Sequence, residues 1–119
     1  MAVNPAVVGI IVDASVNTIF RLIEIFYVDK GGEAPGGQKE ELENALIDTM
    51  QDDDVMQEAK AGNKEYVKEK LCVAFAEVMD TDPGDPDLMQ AVDEAMAAFY
   101  QQYNSIARDK GEDAEVLEE

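Results

Sequence analysis

The reactive groups of this 119-residue chain are almost all carboxylates. It has 27 Asp and Glu, one cysteine (Cys72) and no His. Two clusters invite a chemical reading, Asp52-Asp53-Asp54 and the turn that runs from Asp80 through Asp82 and Asp85 to Asp87. Four aspartates in one turn could offer hard oxygen ligands to calcium. An EF-hand loop, however, needs oxygen ligands at positions 1, 3 and 5, Gly at 6 and Glu at 12. Counted from Asp80, position 5 is Gly84, position 6 is Asp85 and position 12 is Ala91, so the pattern fails. The simpler reading is a connector whose Pro and Gly set the turn and whose Asp87 caps the next helix. Three consecutive aspartates on a helix point in different directions and do not converge on one ion. They suit the anionic start of a helix, with Asp54 and Gln57 at capping-box spacing. No metal and no cofactor is expected.

Covalent catalysis finds little support. Without His there is no His-based triad and none of the usual zinc sites. Cys72 has Lys68 one turn before it but no general base, so a lone buried thiol is expected. A single cysteine also excludes an intrachain disulfide framework and a four-cysteine metal site. Two carboxylates suffice for glycoside hydrolysis, yet nothing here singles out a pair. The expectation is a protein that is not an enzyme.

Charge narrows the partners. Nine Lys and Arg leave a formal net charge of −18, which excludes attraction to nucleic acid phosphates or to anionic lipid. The excess is uneven. Residues 31–62 hold nine acids against two bases, and residues 81–119 hold eleven against two. Residues 1–30 and 63–80 each sum to −1. Should the two acidic segments pack side by side, one face of the molecule becomes strongly negative. Asp52, Asp53, Asp54, Asp82 and Asp85 are then the candidate partner-binding residues. Tyr100, at the edge of its helix's apolar arc, is the candidate anchor among them.

The elements that would carry these groups are helical. Apolar residues make up 46% of the chain, enough for a real core rather than a disordered acidic segment. Their spacing is helical throughout and strand alternation is nearly absent. A first helix should start at Pro5 with Asn4 as its cap and run to about Asp29, stopped by Gly31-Gly32. Asp13, Asn17, Arg21 and Glu24 fall on one narrow stripe of it, and apolar residues cover most of the rest. Such a helix must be buried on more than one side, as the centre of a bundle or as a subunit interface. Val8, Val12, Ile19, Leu22 and Phe26 are its candidate interface residues in a homodimer.

A flexible connector follows over 31–37, then helices over about 38–50, 54–61, 64–80 and 88–109. Asn63 can cap the fourth and Asp87 the fifth, which Gly111 should close. Residues 112–119 read as a solvated acidic tail after a single helical domain over 1–111. The first helix is long enough to span a membrane, but Asp13, Arg21 and Glu24 each add about 2.5–3.5 kcal/mol to insertion. No basic flank or small-residue cleavage site marks a secretory signal. A cytoplasmic location without membrane contact is expected.

The fold expected is therefore all-α, a compact bundle of four main helices plus one short helix. The function expected is binding to a basic protein partner, such as a nucleic-acid-binding protein. A DNA mimic or an immunity-type inhibitor works in this way, using charge for fast association and complementarity for specificity. The alternative is a self-associating helical subunit that uses its apolar first helix. Cation binding through the acidic loops is a third and less favoured class. It would raise the melting temperature in millimolar calcium by linkage.

Overall fold

The computed structural model describes residues 5–110 and 116–117. Among them all regular structure is helical: α1 (Pro5–Phe26), α2 (Gln38–Met50), α3 (Asp53–Ala61), α4 (Lys64–Met79) and α5 (Pro86–Lys110), with one 3-10 turn over Val28–Lys30. Four long helices and a short one form the expected bundle. The molecule is elongated, 43 × 23 × 23 Å.

Contacts between side chains fix the topology. Lys30 reaches Asp87 and Arg21 reaches Glu94, so α1 and α5 run antiparallel. Lys68 pairs with Asp93 while Lys64 lies over the Tyr100 ring, so α4 and α5 do the same. Round the bundle the order is α1, α2, α4, α5, and α3 packs at the end where α2 finishes and α4 begins. Helices α2 and α5 are thus diagonal. The two acidic segments do not lie side by side, and the expected single negative face gives way to acid on two opposite corners.

Hydrophobic periodicity explains the core. Leu42, Leu46 and Met50 of α2, Val67, Leu71 and Phe75 of α4, and Leu88, Val92, Phe99 and Tyr103 of α5 are all buried at helical spacing. From α1 the core takes Val7, Ile10, Ile11, Ala14, Ile19 and Leu22. This helix is long and apolar enough to cross a membrane by length and composition, with 44% of that stretch buried inside the molecule, where it packs on α5 and α2. It is neither the centre of the bundle nor free on all sides. Ile19 and Leu22 are fully buried within the protomer, so they cannot form a subunit interface, and Val8 and Phe26 are half-buried. Only Val12 of the expected interface set is exposed.

Helix ends follow local chemistry, with shifts of a residue or two. Helix α1 stops at Phe26 rather than Asp29, and the 3-10 turn leads to Gly31 in the left-handed region at φ 83°. Asn63 caps α4 as expected, its Oδ1 accepting from the Tyr66 N–H. The cap of α3 is Asp52, not Asp54: Oδ1 of Asp52 accepts from the N–H groups of Asp54 and Val55 at 2.9 and 3.4 Å. Likewise Asp85, not Asp87, caps α5 and accepts from the Asp87 N–H at 2.8 Å. In both cases a carboxylate two residues further upstream reaches the free N–H groups. Asp80 ends α4 with φ 53°, a left-handed conformation that Asp tolerates better than most residues.

The solvated tail expected over 112–119 lies mostly outside the described residues, as do Asn4 and Gly111. At Leu117 the chain departs from it. Leu117 is buried at the core's edge, its N–H donating to Oδ1 of Asn104 at 2.7 Å and its C=O accepting from Nδ2 at 2.9 Å. Asn104 is itself buried. The two groups satisfy each other, which removes the cost of leaving either unpaired in the core.

The cap assignment gives a direct test. Asp52→Ala is expected to lower stability by about 1 kcal/mol, the usual cost of a lost carboxylate cap. Asp54→Ala, which removes the same charge next to it, should cost less than about 0.5 kcal/mol. Urea unfolding followed by circular dichroism compares the two, and equal losses would contradict the cap at Asp52.

Candidate functional site

Three of the nine cations are spent on ion pairs that hold helices together. Arg21 on α1 bonds Glu24 and, at 3.1 Å, Glu94 on α5. Lys30 holds Asp87 at 2.5 Å and Lys68 holds Asp93 at 2.9 Å. Thus the acids on the side of α5 that faces α1 and α4 are paired. The Asp93 bond raises the Lys68 pKa above its ordinary value, against the opposing effect of burial.

The expected aspartates also have local duties. In the 80–87 turn, Oδ1 of Asp82 accepts from the Gly84 N–H at 2.7 Å. Asp85 takes the Asp87 N–H on one oxygen and the Thr81 hydroxyl on the other at 3.3 Å. These are the self-bonded turns expected of a connector. Among the described residues no three His, Cys, Asp or Glu side chains are grouped to hold a metal ion. The turn and the Asp52–Asp54 cluster also sit at opposite ends of the bundle. Asp52 and Asp54 stand beside Tyr66 and Lys70 of α4, and the turn begins past its last residue, Met79, about 14 Å beyond Lys70 along the helix. The structure does not bring Asp82 and Asp85 together with Asp52, Asp53 and Asp54.

Free carboxylates gather elsewhere, along the groove between α2 and α4. Glu41 and Asp48 line it from α2, and Glu77 from α4, with Thr49, Ala74 and Val78 as its floor and walls. It continues past Asp48 to Asp52 and Asp54, beside Tyr66 and Lys70. Lys70 lies 5.4 Å from the Tyr66 ring centroid, a cation held on an aromatic face. Among the described residues no ion pair engages Glu41, Asp48, Asp54 or Glu77. The signal for half of this was in the chain: Glu41 and Asp48 are seven residues apart, two turns on one face. Glu77 was not legible, because only the pairing of α2 with α4 puts it there.

Tyr100 is not an exposed anchor. It is 3% exposed, turned in beside Phe99 at an edge-to-face angle, with Lys64 5.9 Å from its ring. It edges a small pocket between α4 and α5 with Lys68, Asp93 and Met96. Its hydroxyl is buried with no protein group in hydrogen-bonding reach, and burial pushes its pKa up to about 12. Cys72 is buried as expected, and burial raises its pKa too, partly offset by Lys68. Such a thiol is a poor nucleophile at neutral pH.

Comparison with known protein families, with curated protein sequences and with solved structures returns no match.

The buried phenol sets a pH dependence. An unfolded tyrosine ionises near pH 10, so the raised folded value means that stability is intact below about pH 10 and falls as pH rises from there toward 12. Tyr100→Phe should leave stability at pH 7 within about 1 kcal/mol, since the hydroxyl has no bond to lose. It should also flatten the loss above pH 10. Urea titrations at stepped pH measure both, and an unchanged alkaline slope would contradict the burial of this hydroxyl.

Proposed function

We propose that the protein is a non-enzymatic binder that sets the acidic groove between α2 and α4 against the basic surface of another protein. The kind of partner that fits is a nucleic-acid-binding protein, whose cationic site would receive carboxylates in place of phosphates. Inhibitors that mimic DNA or cap a nuclease act on this principle. The observation that carries the reading is the run of carboxylates free of ion pairs, Glu41, Asp48 and Glu77 followed by Asp54, in one groove. The lysine beside it, Lys70, is turned onto an aromatic ring.

Two features of charge support it. A chain of net −18 draws a cationic partner over distances near the Debye length and speeds encounter. Specific register then comes from where the free carboxylates stand, because acids already paired to Lys30, Lys68 or Arg21 have less to offer. Asp82, Asp85 and Tyr100 drop out of the contact set. The first two are bonded to their own turn, and the third is inside.

Two triple variants that remove the same charge separate position from bulk electrostatics. The groove set is Glu41→Gln, Asp48→Asn and Glu77→Gln, and the control set is Glu33→Gln, Glu69→Gln and Asp109→Asn. Each is used as bait for lysate proteins at low salt, eluted by a salt gradient, and then titrated against the recovered partner by calorimetry. The control is expected to hold the partner nearly as the wild type does, while the groove set weakens it by about 10- to 100-fold. Equal weakening by both sets would mean that net charge alone drives the capture and would refute the groove.

A further inference from the structure

Asn104 breaks the pattern of its helix. The buried stripe of α5 runs through Met96, Phe99, Tyr100, Tyr103 and Ala107, and Asn104 is the one amide within it. A carboxamide in such a place costs stability unless its donor and its acceptor are both met. Here one residue meets both. Oδ1 accepts from the Leu117 N–H at 2.7 Å, and Nδ2 donates to the Leu117 C=O at 2.9 Å.

The chemistry of this contact is general. The N–H and C=O of one residue face the same way where the backbone is extended, as in the doubly bonded pairs of an antiparallel sheet. Every residue but proline carries both groups, so the amide selects an extended main chain and not a side chain. Selection by side chain falls to Leu117 itself, which is 2% exposed, while Val116 before it is 45% exposed. The seat thus lies at the surface, an apolar socket with an amide at its edge. No helix ladder holds Leu117. Leaving the seat breaks two bonds and empties one socket, far less than unfolding a helix, so this contact opens before the bundle does.

We propose that Asn104 and the socket beside it form a recognition seat for an extended peptide bearing a leucine-sized aliphatic side chain. Leu117 fills it in cis, and it is vacated while the helices stay folded. Main-chain bonds supply the hold and the socket supplies the choice, as in other sites that read an extended chain. The covalent link gives Leu117 a high effective concentration, so a free peptide enters only once the seat is emptied. Leu117 thereby blocks the seat against ligands of its own class. This inference does not depend on the proposed function.

Two measurements on the full chain test it. By amide hydrogen exchange, the Leu117 N–H is expected to exchange at least about tenfold faster than that of Leu71 in α4, and at least about tenfold slower than an open chain. The second uses Leu117→Asp, whose charge cannot stay in an apolar socket and so empties the seat. The uncharged probe acetyl-Ala-Val-Leu-Ala-amide is titrated while the Asn104 side-chain amide signals are followed by NMR. Half-saturation is expected at about 1–10 mM for Leu117→Asp. Binding should be at least about tenfold weaker for the wild type, where the seat is filled, and for a probe with Ala in place of Leu. A Leu117 N–H that exchanges at the rate of Leu71 belongs to the cooperative core and overturns the proposal. So does a Leu117→Asp chain that loses its helical circular dichroism, or one that binds the two probes alike. A wild type that binds the leucine probe as well as Leu117→Asp does also overturns it.

Discussion

The antiparallel seam between α1 and α5 holds the rest of the structure in place. It is the most extensive helix pairing in the molecule, and it joins the first and last helices, so closing it fixes the order of everything between. Its interior is apolar, with Ile10, Ile11, Ala14 and Leu22 on one side and Ala91, Ala95, Phe99 and Tyr103 on the other among the buried residues. Small residues on both helices allow a close approach. At the rim Arg21–Glu94 and Lys30–Asp87 select the register. Exposed pairs of this kind add little stability, about 0–1 kcal/mol each. Their larger effect in so acidic a chain is to place scarce positive charge where α5 would otherwise repel its neighbours.

From that seam the charge pattern follows. Cations committed to α1–α5 and α4–α5 contacts leave the α2–α4 side with unpaired acid. This is a consequence of topology, since α2 carries acid in an ordinary amphipathic pattern and sits across the bundle from α5. The negative groove is therefore as much a product of where the lysines went as of where the glutamates are.

Much of the fold was legible in the chain because helical periodicity is a local signal. The ends of α2, the connector over 31–37, and Asn63 as a cap all follow from residues within a few positions of each other. Caps at Asp52 and Asp85 were misplaced by two residues, because in a run such as Asp52-Asp53-Asp54 every member can cap and only the backbone bend decides. Interface residues fared worse. An apolar arc on α1 tells how much surface must be covered but not by which neighbour, so Ile19 and Leu22 looked as available as Val12. Tyr100 sits at the edge of its arc, and the approach of α4 closes over it. The groove depended on long-range pairing, and of its three central acids only the α2 pair had a signature in spacing.

Leu117 belongs to none of the helices, yet its side chain is buried at the core's edge. Its backbone is held on both sides by one amide, that of the buried Asn104. A single side chain of α5 thus stands in for a strand partner, and an apolar residue that no helix carries reaches the core through a polar contact.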